Sequence, residues 1–530
     1  MGKLFISIYL ILFIQCDTNE FHNLNINPQA VNQIDLNFLF SAAALGVASN
    51  GSSGNNIDVE GSANIEFCAH AIQHLATLDP NNFGDKYVDV RGRTNSPLFE
   101  YTYSDQLKNI AEILKQTGEG GYDAGNKKNM RHAARILRVF SMARLVDVYG
   151  NVPYTDANKG TDGIYFPKYD AGKTIYKELF IELEEAAAGL SISNPDQGFK
   201  KADLIFKGDI VKWKKWAFSL MLRMAMRVSD ADVSLAATYV FKAVTGGVMT
   251  SNADNVIVPM ALSPDLWTNQ NGISRMFYPG DGGVAQTSMI SKTLIDFLKG
   301  PNTSKTADDD PRLMIFTGGI VDWTVIQHTV IDVNPLHQKG LPNGKEQHEI
   351  DQLEGKPTIV RFDYSSINFK MMQKDEPYLI MHYGEVELLL AEARLKNIGQ
   401  IQGTPKEHYE AGVKAAMQMY VIYDPSLVIP DEVVTAYLIS YPFDIYKPAI
   451  EMIADQLWVS KFMSWIEVWS DWRRLDLPKL IPTNYPTNNT GNTIPVRLKY
   501  PNSEVGRNPK YKTGATQPDL YTTRVWWDVK

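Results

Sequence analysis

Apolar residues that return every three or four positions, segment after segment, constrain this chain more than any other feature. From Lys127 to Tyr149, Met130, Ala133, Ala134, Leu137, Phe140, Leu145 and Val148 mark one helical face. From Tyr169 to Leu190, Ile175, Leu179, Leu183, Ala186 and Ala187 do the same, with Glu178, Glu182 and Glu185 elsewhere. Asp209 is placed to cap "IVKWKKWAFSLMLRMAMRVSD", which is apolar on most sides and therefore predicted to be heavily buried. Tyr378 to Ile398 reads as another helix, with Val386, Leu389, Leu390 and Ala393 inward and a Glu392–Lys396 pair on its outer side. Further helices are expected at 105–117, 233–245, 405–420 and 446–470. Helices paired through short turns predict an all-α, tetratricopeptide-like scaffold of helical hairpins with little β structure, although no strict 34-residue repeat can be read.

Two stretches interrupt this pattern, near 79–103 and 249–376. Both are rich in Asn, Asp, Gly and aromatics, and loops of that length on a helical scaffold usually carry function. With 530 residues and 44% hydrophobic composition the chain can bury a large core. A net charge of -8 with no basic block leaves no electrostatic footprint for nucleic acid. Two cysteines, Cys16 and Cys68, exclude a disulfide framework.

The amino terminus sets the location. The apolar run Leu4–Ile14 follows Lys3 and is too short to span a membrane, but it suits the core of a secretory signal. It ends at Cys16, where bacterial lipoprotein signals are cut and the cysteine is lipidated. Phe13 and Gln15 depart from the usual residues before that cysteine, and an ordinary signal peptide cut elsewhere is the competing reading. The expected organisation is therefore a signal at 1–15, a lipidated Cys16 with a flexible polar tether over 16–30, and a single domain over 31–530.

Catalytic signatures are absent: no GxSxG elbow, P-loop or Rossmann fingerprint occurs. Cys68, His70 and His74 in "CAHAIQH" have a helical spacing that can hold zinc, but Ala71 stands where a zinc protease needs glutamate. They read as buried helix residues, and no metal is assigned. Asp308, Asp309 and Asp310 could offer oxygens to calcium; without the alternating ligand spacing they read as a solvated turn. No cofactor is called for. The remaining candidates are aromatics in the two insertions, Trp267, Phe277, Tyr278, Trp323, Phe83 and Tyr101. Flat rings of this kind stack on sugars or hold peptide side chains, while neighbouring amides and carboxylates fix orientation. The bland reading of each is a plug over the core.

Several stretches together resemble one family. "LVDVYGNVPYTDA" (145–157), "GDIVKWKKWAFSLMLRMAMRVS" (208–229), "EVELLLAEARLKNIG" (385–399), "WIEVWSDWRRLDLPKL" (465–480), "IPVRLKYPNSEVGRN" (494–508) and "TTRVWWD" (522–528) are similar, in order, to the hallmarks of the SusD/RagB outer-membrane nutrient-binding lipoproteins. The resemblance implies a SusC-type TonB-dependent barrel as partner. It also implies capture of an oligosaccharide or peptide, and outer-membrane attachment through the Cys16 lipid. Asp17 and Glu20 resemble surface-export signals. No catalysis is implied; a surface glycan hydrolase and an adhesion protein without a transporter are the alternatives. Gly150 is expected to end its helix and Pro153 to prevent continuation, and Arg473 and Arg474 to tie helix to loop rather than touch a ligand.

Overall fold

The structure, a computed structural model, describes residues 33–49, 59–89, 94–194, 198–264, 267–278, 288–302, 304–322 and 329–530. Cys16, Asp17, Glu20 and Trp323, and with them the expected signal and tether, lie outside the described residues.

Eleven α-helices of nine or more residues form the scaffold of the described chain. They are α1 (Leu36–Ser49), α2 (Lys108–Gln116), α3 (Lys128–Tyr149), α4 (Gly172–Gly189), α5 (Ile210–Arg227), α6 (Val233–Gly246), α7 (Tyr383–Leu395), α8 (Pro405–Gln418), α9 (Asp431–Ser440), α10 (Ala449–Ser460) and α11 (Trp465–Leu475). Sequential partners pack on one another: α3 on α4, α5 on α6, α7 on α8 and α10 on α11. The fold is all-α and tetratricopeptide-like, as the periodicity predicts.

Local chemistry accounts for several boundaries. Asp209 accepts from the amides of Val211 and Lys212 and starts α5. Thr404 and Glu407 form a reciprocal capping box at α8. Gly150 stops α3 with φ +86°. The face of α5 is buried throughout, with Trp213 and Trp216 both inaccessible.

Two predicted helices are different in the structure. Tyr378–Met381 is a strand, antiparallel to Val256–Val258, and α7 begins only at Tyr383, where His382 accepts from the Glu385 amide. The apolar run "YLIM" is buried on both faces, so it carries no period that separates strand from helix. The expected helix at 446–470 is α10 and α11, divided where Met463 adopts φ +80°. The expected 105–117 helix is α2, preceded by a wider π-helical turn at Thr102–Leu107. The insertions are not bare loops: they hold short helices, and three of the four two-stranded antiparallel ribbons among the described residues involve them or their edges, the exception being Val152–Pro153 with Tyr169–Asp170.

A chain of buried charges runs through the core. Glu467 lies within ion-pair distance of Arg227 at 2.8 Å, Arg144 at 3.8 Å and Arg223 at 3.9 Å. Asp471 binds Lys461 and, at 2.7 Å, Arg474. Burial pushes the Glu467 carboxyl up, but the surrounding cations outweigh it and hold it down at about 2. Arg473 stacks over Trp469 at 3.5 Å and Trp527 at 4.6 Å and donates to the carbonyls of Asp147 and Val496, which ties α11 to α3 and the terminal segment. The pair Glu392–Lys396 exists at 2.9 Å, but Glu392 is wholly buried rather than outward, because Arg474 grips it in bidentate fashion at 2.6 and 2.7 Å.

Candidate functional site

The second insertion builds its wall from short, heavily capped pieces. Asn271 accepts from the amides of Ile273 and Ser274 and starts the helix Gly272–Phe277. Its own amide donates to the Lys374 carbonyl at 2.8 Å, and its side chain donates to the Glu376 carbonyl at 3.2 Å. The two ends of the insertion are thereby fastened together.

That fastening sets Tyr278 against the segment 369–376. The Tyr278 ring lies 5.9 Å from Phe369, and the Lys374 ammonium sits 4.4 Å above it. Tyr278 is half-buried, so an aromatic ring with a cation over one face is partly open to solvent. Nearby in sequence, burial pushes the Glu376 carboxyl up to about 8, with Asp375 and Asp424 adding repulsion. Burial thus favours its protonated form.

A second piece is the ribbon of Ile320–Asp322 with Thr329–Asp332. Ser366 donates to the Val321 carbonyl at 3.0 Å, and Arg361 pairs with Asp322 at 3.3 Å, fixing its base. Val330 and Ile331 are exposed. Beyond it His337 Nδ1 lies 2.7 Å from Asp332, while its Nε2 faces the Asn334 amide at 3.4 Å.

Of the six aromatic candidates, the structure leaves Tyr278 and Tyr101 half-buried. Trp267 begins a short 3-10 turn, Trp267–Asn269. Phe277 is 0% exposed and Phe83 1% exposed, so neither offers a ring face, which corrects their reading as ligand contacts. Phe83 stacks on Phe67 at 5.1 Å and lies 4.1 Å from Tyr521. It gets there because Gly84 lets the short helix Phe83–Lys86 press onto the Phe67 carbonyl; a Cβ at that position would sit 2.1 Å from the oxygen. Phe369 and Lys374 belong to the wall but were not singled out, since "NFKMMQKDEP" has neither period nor motif.

His70 and His74 are buried, and Cys68 is a buried free thiol. Asp310 is buried, with its two oxygens taken by Arg312 at 2.8 and 2.6 Å. It is neither solvated nor free for calcium. Among the described residues no group of three or more His, Cys, Asp or Glu is placed to hold a metal, and no helix is long and apolar enough to cross a membrane.

A family model described as "Starch-binding associating with outer membrane" matches residues 28–501. A solved structure titled as a chitin-binding protein is 27% identical, with a TM-score of 0.78 over 94% of this chain and all of its own. A SusD-like protein from Bacteroidetes is 24% identical, with a TM-score of 0.77 over 94% of this chain and 100% of its own. A chitin-binding SusD homologue from Flavobacterium johnsoniae is 22% identical, with a TM-score of 0.72 over 93% and 99%. These last two likenesses speak to fold alone. The curated proteins contain no match.

Proposed function

The chain belongs to the SusD-like family of starch-binding proteins associated with the outer membrane, and from that premise we propose that it is a surface lipoprotein which captures an oligosaccharide and passes it to a SusC-type TonB-dependent barrel. The observation that carries the reading is the family match over 28–501, nearly the whole chain after the apolar run. The 27% likeness to a chitin-binding protein favours saccharide over peptide as the cargo.

In this reading, residues 1–15 are removed, Cys16 carries the lipid, and 16–30 tether one globule. Acyl chains hold by roughly 0.8 kcal/mol per buried methylene, so a diacylated cysteine suffices as anchor. The insertion wall supplies the binding chemistry. Tyr278 and its Lys374 cap form one side, and Trp267 and Trp323 are the proposed stacking platforms. Capture itself breaks no bond. Delivery needs a ligand affinity that differs between the open and the barrel-closed arrangement.

Mild detergent extraction and purification through a C-terminal tag tests the partner. A stoichiometric large β-barrel in the eluate is expected; a clean monomer under the same conditions refutes the lid role. In parallel, calorimetry with maltotetraose and the tetramer of N-acetylglucosamine is expected to give saturable binding that Trp267→Ala or Trp323→Ala weakens at unchanged melting temperature. New reducing ends on incubation with the parent polysaccharides would instead make the protein a hydrolase.

A further inference from the structure

A cavity of about 600 Å³ opens between the segment after Leu298 and helices α9 and α10. Tyr278, Phe369 and Lys374 do not line it. Its wall is aromatic: Tyr437 and Tyr441, four residues apart at the end of α9, have ring centroids 5.0 Å apart at 42°. Tyr446 stands at its rim and is 72% exposed, which leaves its ring face open to a ligand.

The rear of this cavity is held in place. Asp310 grips Arg312, Arg312 donates to Gln456 at 2.9 Å, and Gln456 donates to the Tyr437 hydroxyl at 3.1 Å. The Tyr441 hydroxyl donates to the Asp308 carbonyl at 2.8 Å. Gly300 permits that contact: at φ +65° it leaves room where a Cβ would meet the Asp308 oxygen at 2.6 Å and the Tyr441 oxygen at 2.7 Å. Such a site binds without first having to order its own side chains.

Polar groups converge on the same space. Asp455, paired with Lys447 at 2.6 Å, and Ser440 face it. A smaller hollow of about 340 Å³ shares Tyr437, Ser440 and Tyr441. There Asp309 Oδ1 is buried with no hydrogen-bond partner in the protein. A buried oxygen of this kind costs free energy until something donates to it.

We propose that this cleft is a second saccharide site, which takes a short uncharged oligosaccharide. Ring faces suit the C–H faces of pyranoses, and the unpartnered carboxylate oxygen suits a sugar hydroxyl. Asp296, Asp308 and Asp455 line the cleft against one lining cation, Lys447, so a uronate or sulfated sugar would meet repulsion. The volume lies within the range that encloses a small ligand. The site goes beyond the insertion wall and does not depend on it.

Met452 lines the cleft, so its methyl resonance reports on that site. The test is NMR of the full chain carrying 13C-methyl methionine, titrated with maltotetraose, cellotetraose and the tetramer of N-acetylglucosamine. The Met452 signal is expected to move saturably with at least one of them. Tyr446→Ala should weaken that response roughly ten-fold. Ser440→Arg, made at an exposed helix end, should abolish it while calorimetric saccharide binding at the insertion wall persists. A Met452 signal that stays still with all three sugars overturns the proposal. So does a Met452 response that survives Ser440→Arg. Calorimetric binding that Ser440→Arg abolishes entirely counts against the insertion wall instead.

Discussion

Replacing Glu392 with glutamine keeps the side chain's shape and removes one buried charge. In the native protein its carboxylate is wholly inaccessible and holds Arg474 at 2.6 and 2.7 Å and Lys396 at 2.9 Å. Burial pushes this carboxyl up, and Arg474 and Lys396 outweigh it, so it stays below the usual carboxylate range. Removing one member of such a pair leaves the other charge without compensation and costs about 3–5 kcal/mol. Unfolding entropy of roughly 2.1 cal/mol/K per residue gives about 1.1 kcal/mol/K for a chain of this length. The melting temperature should therefore fall by about 3–5 °C. Differential scanning calorimetry at pH 7 reads it, with Lys406→Gln as control, because Lys406 and Glu410 meet only at 3.7 Å on the surface and should move the midpoint by less than about 1 °C. Saccharide affinity of the folded protein should not change, since Glu392 is wholly buried and its carboxylate is taken up by Arg474 and Lys396. The double variant Glu392→Gln, Arg474→Gln should cost less than the two single changes added, because neither then strands the other. A midpoint within 1 °C of the native value, or lost binding at an unchanged midpoint, would refute a purely structural role for the "WSDWRRL" hallmark.

Glu60 and Glu376 are raised by burial to about 7 and about 8, against about 4.3 in an unfolded chain, so between those limits the native state holds more protons and stability falls as pH rises. Buried His70 and His382, lowered to about 4, act in the opposite sense below 6.5, so the carboxyl effect is read between pH 6.5 and 8. Glu60→Gln with Glu376→Gln should flatten the fall of melting temperature across that interval; an unaltered slope would contradict the assignment. On the insertion wall, Phe277→Ala should cost about 3–5 kcal/mol and leave the affinity of the folded fraction unchanged. The adjacent Tyr278→Ala should do the reverse, and parallel thermal and calorimetric titrations distinguish them.

What could be read in advance was local. The face of α3, the Asp209 cap and the Gly150 stop each depend on residues within a turn or two, and each is where the sequence places it. What could not be read depends on partners far along the chain. Tyr378–Met381 becomes a strand because Val256–Val258 lies beside it, more than a hundred residues earlier. Glu392 turns inward because Arg474 waits for it, although spacing alone pairs it with Lys396 on an outer face. The α9 helix, with exposed Val433 and Ile439 and only Val434 fully buried, has no clean apolar stripe and so gave no signal.

The same non-locality governs the site. An aromatic in a polar insertion can be a platform or a plug, and composition treats both alike. Phe83 is a plug because Gly84 brings its backbone against Phe67; Tyr278 is not, because its neighbours Phe369 and Lys374 cover only part of the ring. What separates the two cases is whether the backbone around the ring is bonded to the core or to the insertion itself. Asn271, which fastens 271 to 374–376, makes the second arrangement at Tyr278. The Tyr437–Tyr441 pair follows the same logic, with the Asp310–Arg312–Gln456 chain standing behind it. A surface that must hold a sugar without collapsing on itself needs its rings braced from behind, and that bracing is made by contacts between distant segments.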